Sequence, residues 1–370
     1  MDTLASVVHA FADRRRRVSR AAADAGIDVV LVTPGPDLRY LTGYSAVPLE
    51  RLTCLVLPAD AEPTLVVPEL ELPAAMASPA AEMQVVHWTE TQDAVRRAAD
   101  IAGPVTSMAV DDRMWAEKAL RFRDALPHAR LVSAGALLTE QRMHKDAAEV
   151  AHLAEAAAAI DEVHAQMREW LRPGRTEHDV AVDIDRGILA VGHVRTDFVI
   201  VASGPNGASP HHEPSRRVIE PGDTVVVDIG GEMPSGYRSD STRTYAVGEP
   251  SAAALEQYEV LQAAQDAAVA AVRPGAQAQE VDAAARSLIA RAGYGPLFVH
   301  RTGHGIGVET HEHPYVVEGN SRVLEPGMVF SVEPGIYDPG RQGARIEDIV
   351  AVTDDGVRRL NTRPRDLVRL

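Results

Sequence analysis

One cysteine, Cys54, stands in 370 residues. An internal disulfide is excluded, and so is a zinc site built on thiolates. A metal would have to sit on His, Asp and Glu. No window approaches 18 uncharged apolar residues, the length a membrane-spanning helix needs, so no membrane partner is expected. The first 20 residues lack an apolar stretch followed by a small-residue cleavage site. They carry Asp2, Asp13 and the run Arg14–Arg17, so they do not read as a secretory signal, and a cytoplasmic location is the simplest expectation. No Gly-x-Gly-x-x-Gly follows an apolar run, which leaves a Rossmann-type cofactor enzyme unsupported. Basic charge is short as well. Lys and Arg total 37 against 53 Asp and Glu, a formal charge of −16. That is the opposite of a nucleic-acid footprint. The Arg14–Arg17 run is the one basic block, and its expected place is the solvated face of a first helix.

What is present is globular composition, 45% hydrophobic and 24% charged, at a length comfortable for two domains. In the first third, Ile27–Thr33, Thr53–Leu57, Pro63–Val67 and Ser107–Val110 read as strands. Val95–Ile101 and Ala116–Leu126 have helical spacing. Alternating strands and helices predict an α/β domain over residues 1–143. A boundary falls near Met143-His144-Lys145. Residues 144–370 form a second domain, opening with a long helix over Asp146–Leu171 that Pro173-Gly174 stops.

The second domain repeats itself. Arg172-Pro173-Gly174 recurs as Arg273-Pro274-Gly275, an offset of 101 shared by Val180 with Val281 and Gly192 with Gly293. Glu220-Pro221-Gly222 recurs as Glu325-Pro326-Gly327, an offset of 105. Each copy then enters an apolar strand, Thr224–Val227 or Val329–Val332, that ends on a carboxylate, Asp228 or Glu333. Each adds a second carboxylate further on, Asp240 or Glu347. Two helix–helix–hairpin halves related by a pseudo-twofold axis would bring these four together.

Four converging carboxylates repel one another and raise each other's pKa values. Dications resolve that conflict, and so, one at a time, would salt bridges to the nearby Arg238, Arg243 and Arg345. The candidate imidazole is His304, between Gly303 and Gly305, where glycines allow close backbone approach. An imidazole added to oxygen ligands favours Mn²⁺, Co²⁺, Fe²⁺ or Zn²⁺. His311 and His313 offer a second reading, a His-x-His pair on one face of a strand that itself binds metal. The turn-rich stretch Ser203–Glu213 ends in His211 and His212 and reads either as a substrate-contacting loop or as an ordinary surface loop.

These residues resemble the creatinase, aminopeptidase P and prolidase group, the pita-bread metallopeptidases of family M24. The matching stretches, in order, are Tyr40-Leu41-Thr42-Gly43-Tyr44, Val227-Asp228-Ile229-Gly230, Ser239-Asp240-Ser241-Thr242-Arg243-Thr244, Gly303-His304-Gly305-Ile306-Gly307, Val332-Glu333-Pro334-Gly335 and Arg345-Ile346-Glu347-Asp348. The resemblance implies an α/β creatinase-like N-terminal domain and an α+β pita-bread catalytic domain. It implies two divalent ions per chain, Mn²⁺ first and Co²⁺, Zn²⁺ or Fe²⁺ as alternatives, held by Asp228, Asp240, His304, Glu333 and Glu347. Glu333 is implied as general base and His311 as a stabiliser of the tetrahedral intermediate. His211, His300, His311 and Arg345 are implied to contact substrate. The expected reaction cleaves the bond between an N-terminal residue and a following proline, in a homodimer. Rival readings are a metal-independent creatinase-like enzyme, an amide hydrolase acting on a small ectoine-type compound, and a non-catalytic binding relative.

Overall fold

The computed structural model describes residues 2–370, with side chains from His9 onward; Met1 and the side chains before His9, which open the segment expected to lack a leader, lie outside the described residues. The chain forms two compact units, Met1–Arg142 and Met143–Leu370. No helix among the described residues is long and apolar enough to cross a membrane.

The first unit is built on a mixed six-stranded sheet. Its strands are β1 (Val29–Val32), β2 (Cys54–Pro58), β3 (Thr64–Pro68), β4 (Gln84–Trp88), β5 (Ser107–Val110) and β6 (Arg130–Ser133), in the order β4-β3-β2-β1-β5-β6. The helices Ala94–Ala102 and Ala116–Ala125 fall where the apolar spacing puts them. Val95, Ala98 and Phe122 pack with Leu31, Val56 and Met108 of the sheet. The Arg14–Arg17 run departs from expectation. Arg14 and Arg15 are buried, and only Arg16 and Arg17 face solvent. Arg15 Nη1 donates to the carbonyl of Leu41 at 2.8 Å, and the Arg14 guanidinium lies 4.4 Å from the Tyr40 ring centre. Hydrogen bonds to backbone and stacking on a ring help these two charges tolerate burial.

The second unit carries β7 (Arg195–Ser203), β8 (Thr224–Glu232) and β9 (Arg238–Ala246) as an antiparallel meander. A second sheet uses β10 (Gly303–Gly305), β11 (Glu312–Val316), β12 (Val329–Val332), β15 (Asp348–Thr353) and β16 (Gly356–Arg359) in the order β11-β10-β12-β15-β16. Between β12 and β15 the chain makes a separate hairpin of β13 (Gly335–Asp338) and β14 (Gln342–Arg345). A short β17 (Val368–Arg369) runs parallel to β9.

The repeat is visible bond by bond. Gly174 N donates to Ile219 O at 3.0 Å, and Gly275 N to Leu324 O at 2.9 Å. Gly222 N donates to Val247 O at 2.7 Å, and Gly327 N to Val352 O at 3.0 Å. All four glycines have φ between 86° and 96°, a region that L side chains rarely enter. The helices Glu177–Ala190 and Ala278–Arg291 follow the first pair of turns, each with a capping box. Helices Ala147–Ala165 and Ala252–Ala271 precede them. The first of these was expected to run to Leu171. It breaks instead at Gln166, whose amide bonds back to Val163, tightening the turn before a last short helix, Met167–Trp170.

Two expectations about the hairpins need correction. Asp228 does not end its strand; β8 runs on through it to Glu232. In the second copy the strand does stop, because Pro334 after Glu333 has no N–H to continue the ladder. The second carboxylates are not equivalent either. At the 105-residue spacing Asp240 corresponds to Arg345, and Glu347 to Thr242. The halves meet there: Glu347 N donates to Thr242 O at 3.1 Å, and Thr244 Oγ1 to Arg345 O at 2.9 Å.

Gly207 and Gly343 hold the loop after β7 against β14. A Cβ on Gly343 would lie 1.8 Å from the Gly207 carbonyl oxygen, which is backbone and cannot swing away. Gly343→Ala is expected to lower stability by about 1–3 kcal/mol, read as a shift in the urea midpoint. An unchanged midpoint would mean that the loop yields freely.

Candidate active site

The antiparallel register of β7, β8 and β9 sets the first wall. Ile200 pairs with Asp228 and Asp228 with Thr242; Phe198 pairs with Gly230 and Gly230 with Asp240. Directly paired residues share a face, and residues two apart on a strand share it too. Asp228 and Asp240 therefore project from one face, beside Phe198 and Ile200. Gly230 is needed between them, since a Cβ there would meet Phe198 Cε1 at 2.6 Å and Ser239 O at 2.5 Å.

The second wall is β10, squeezed between β11 and β12. A Cβ on Gly303 would lie 1.8 Å from Ser331 O, and one on Gly305 2.1 Å from His313 O. Glycine on both sides lets His304 sit in that strand with its ring 3% exposed. His304 Nδ1 meets the carbonyl of Gly305 at 3.1 Å. A carbonyl only accepts, so Nδ1 carries the proton and donates. The lone pair of Nε2 then faces Glu333 Oε1 at 3.1 Å and Asp240 Oδ2 at 3.6 Å. Glu333 is fixed by its own amide, which donates to Thr302 O at 2.8 Å, and by Ser331 Oγ, which donates to its carboxylate at 2.9 Å.

Asp240, His304 and Glu347 each present a ligand atom within 4.8 Å of the others, and all three are buried. Glu333 adjoins this group through His304, and Asp228 borders the same cleft. Arg345 Nη2 donates to Asp228 Oδ2. Of the three arginines, only Arg345 pairs with the carboxylate of one of the four acids: Arg238 pairs with Asp197 and Glu232, and Arg243 with Asp348. Asp228 Oδ1 and Glu347 Oε1 are buried with no hydrogen-bond partner. Burial, then the charge of Asp228, pushes the Asp240 carboxyl well above its usual range. Burial, then Asp240 and Glu333, does the same to Glu347. Oxygen atoms left unpaired, an imidazole lone pair aimed at carboxylates, and a deficit of cations are what a divalent-ion site presents without its ion. The donor set fits such ions.

The cleft above this floor has a volume of about 840 Å³. His211, His300, His311 and Arg345 all line it. His311 stands edge-on to His304, with ring centres 4.1 Å apart. His313 lies instead against Tyr315, with ring centres 4.4 Å apart and planes inclined at 48°. His311 precedes β11 while His313 lies within it, so the His-x-His pair does not form on one strand face. The nitrogens of His300 are both engaged. Nδ1 donates to Arg301 O at 2.7 Å, and Nε2 accepts from Tyr337 OH at 2.8 Å. Arg345 is likewise committed, with Nε on Thr242 Oγ1 at 3.1 Å and Nη1 on Tyr337 OH at 2.7 Å and Pro210 O at 3.2 Å. Tyr337 thus joins His300 to Arg345 and, through it, to Asp228. No motif in the chain singles it out beyond its place two residues after Gly335.

Sequence reasoning also missed Glu177. Its side chain is fully buried and gathers the loop that carries His211. It accepts from Ser203 N and Oγ at 2.7 Å, Asn206 Nδ2 at 3.0 Å, Ser215 Oγ at 2.6 Å and His212 Nε2 at 2.8 Å. His212 therefore braces the loop while its neighbour His211 faces the cleft. The first residue of a capped helix gives no hint of this role.

The two units match two family descriptions. Residues 14–144 match the creatinase/prolidase N-terminal domain, and residues 151–354 match metallopeptidase family M24. A probable dipeptidase, PepE, of Mycobacterium bovis is 51% identical over 361 residues, covering 97% of this chain and 96% of its own. An Xaa-Pro dipeptidase of Lactobacillus helveticus is 37% identical over 355 residues, covering 93% and 95%. The crystal structure of a recombinant prolidase from Thermococcus sibiricus superposes with a TM-score of 0.91 at 37% identity, covering 97% and 99%. Fold and relatives together define a metal-dependent peptide hydrolase with a creatinase-type N-terminal domain and a pita-bread catalytic domain. The chain belongs to metallopeptidase family M24.

Burial alone would raise the Glu177 carboxylate; hydrogen bonds from Ser215, Ser203 and His212 outweigh it and bring it from the ordinary 4.5 to about 2. A folded value below the unfolded one stabilises the fold wherever the unfolded group is ionised. That contribution is complete above about pH 5 and fades as the pH falls toward 2. Glu177→Gln is expected to cost about 1–3 kcal/mol at pH 7 and to flatten the acid limb of the stability profile. Urea midpoints measured from pH 7 to pH 3 check this; parallel profiles for variant and wild type would contradict it.

Proposed function

We propose that this protein is a dinuclear metal-dependent peptidase that hydrolyses the bond between an N-terminal residue and a following proline. The observation that carries the reading is the buried donor set, with Asp240, His304 and Glu347 converging and with one oxygen each of Asp228 and Glu347 that no described residue satisfies. The names of its relatives, dipeptidase, Xaa-Pro dipeptidase and prolidase, support the substrate class. Asp228, Asp240, His304, Glu333 and Glu347 would hold the ions, with Mn²⁺ the expected metal. A bound pair of divalent ions supplies Lewis acidity and a water of lowered pKa. Glu333 takes the proton of the attacking water and returns it to the proline nitrogen as the bond breaks. His311 donates to the oxygen that gains charge in the transition state. His211 and His300 line the cleft that takes the substrate, and Arg345 fixes the Asp228 carboxylate.

An Xaa–Pro bond is a tertiary amide with no N–H. The site must therefore grip the carbonyl side and accommodate the proline ring by shape. In this reading residues 1–143 form the N-terminal domain and residues 144–370 the catalytic domain, and the enzyme works as a homodimer in the cytoplasm.

The test is hydrolysis of Xaa-Pro dipeptides and Xaa-Pro-Yaa tripeptides by metal-stripped protein, with Mn²⁺, Co²⁺ or Zn²⁺ restored. Cleavage is expected only after metal is returned; no cleavage with any metal would contradict the reading and favour a non-peptide amide. Glu333→Ala is expected to lower kcat by at least ~10²-fold while keeping the wild-type circular dichroism spectrum. Near-normal turnover would remove Glu333 from the proton-transfer role.

A further inference from the structure

The strand that presents His304 is tied down from behind by an ion pair on helix Ala278–Arg291. Asp282, one turn into that helix, is buried. Its Oδ1 accepts from Thr302 Oγ1 at 2.7 Å. It also accepts from Thr302 N at 3.3 Å, whose shorter bond goes to Val316 O at 2.9 Å. Arg286 closes on the same carboxylate with two bonds, Nε to Oδ2 at 2.8 Å and Nη2 to Oδ1 at 2.9 Å. The same guanidinium donates to Phe298 O at 3.2 Å and to His300 O at 2.8 Å, and it lies 4.2 Å from the centre of the Phe298 ring. One ion pair therefore holds Phe298, His300 and Thr302, alternate positions of the segment that leads into Gly303-His304-Gly305.

Thr302 passes that restraint to the site. Its carbonyl accepts from Glu333 N at 2.8 Å. His304 follows two residues later, and its amide donates to Ser331 Oγ at 3.0 Å, the hydroxyl that also donates to Glu333. None of Asp282, Arg286 and Thr302 lines the cleft. The first half holds its own cleft loop with a similar device. Glu177, on the matching helix Glu177–Ala190, accepts from both N and Oγ of Ser203. A carboxylate that takes the amide and the hydroxyl of one Ser or Thr fixes both the place and the orientation of that residue. Burying an ion pair adds little net stability, and apolar packing joins helix to strand as firmly. Placement is different, because reacting groups lose rate steeply when displaced by as little as ~1 Å.

We propose that Asp282, braced by Arg286, is a positioning residue for the reaction: through Thr302 it sets the backbone from which Glu333 and His304 reach the site. The inference rests on the metallopeptidase reading given above. It extends that reading behind the cleft wall, to a carboxylate that touches neither ion nor substrate.

The experiment compares wild type, Thr302→Val, Thr302→Ser, Asp282→Asn and, as a control, Asp161→Asn. Asp161 is another buried carboxylate, which accepts from Asn361, Thr362 and Arg363 and lines no part of the cleft. Two quantities are read: kcat and KM for Ala-Pro at saturating Mn²⁺, and the Mn²⁺ dissociation constant by calorimetric titration of the metal-stripped protein. Thr302→Val and Asp282→Asn are expected to lose roughly 10–100-fold in kcat, in Mn²⁺ affinity or in both, with KM little changed. Thr302→Ser, which keeps the hydroxyl, is expected to stay close to wild type. Asp161→Asn is expected to lower the urea midpoint and leave both quantities alone. Should Asp282→Asn fail to fold, the nearly isosteric Thr302→Val carries the test. Wild-type kcat and Mn²⁺ affinity in the folded variants would overturn the proposal. So would a loss in Thr302→Ser equal to that in Thr302→Val, or an equal loss in Asp161→Asn. Wild type that binds Mn²⁺ but does not cleave Ala-Pro contradicts the Xaa-Pro reading alone, and the Mn²⁺ affinities then decide the role of Asp282. Wild type that binds no Mn²⁺ overturns both.

Discussion

Four carboxylates gathered in a buried place cannot all stay ionised without positive charge, and much of the second unit is arranged around that constraint. Within the protein, Arg345 answers Asp228, while Glu333 lies against His304 Nε2. Asp240 and Glu347 are left with their carboxyl groups pushed upward, first by burial and then by neighbouring carboxylates, Asp228 acting on Asp240 and Asp240 on Glu347. A site balanced by protonation would bury neutral acids for no gain in packing. One balanced by divalent ions uses every unpaired oxygen and the Nε2 lone pair at once.

The surrounding structure reads as support for that cluster. Glycines at 230, 303 and 305 remove the side chains that would hold its walls apart. The duplicated turns carry the same hydrogen bonds in both halves, so two hairpins arrive with a common geometry. The copies then diverge where chemistry requires it. The position equivalent to Asp240 carries Arg345, which steadies Asp228, and the position equivalent to Glu347 carries Thr242. Thr242 Oγ1 donates to Glu347 at 2.8 Å. A strict duplication would have placed acids where a cation and a hydroxyl now stand.

Much of this was legible in the sequence because it rests on local chemistry. Positive-φ glycines in the Pro-Gly turns, apolar runs for the sheet strands and the glycine-flanked histidine all leave marks that a reader can find. The long-range partners leave none. Glu177 looks like an ordinary residue in the first turn of a helix, and only folding reveals that it gathers donors from Ser203 to Ser215. Tyr337 likewise gains its meaning only from the partners that folding brings to its hydroxyl, His300 and Arg345. The Arg14–Arg17 run misled for the same reason. Charge predicts exposure, but a carbonyl and an aromatic ring from 26 residues away accept two of those side chains. The His311 and His313 spacing suggested a shared strand face, and the strand begins one residue too late for it.

The central claim is that the clustered acids and His304 form a two-ion site. The most direct measurement is the number of ions retained per chain, read by elemental analysis after Mn²⁺ loading and exhaustive dialysis, for wild type and for the Asp240→Asn and Glu347→Gln variants. The account predicts two ions per chain in wild type and loss of at least one in each variant, with folding unimpaired. Retention of no more than one ion by wild type, or of two by both variants, would contradict it.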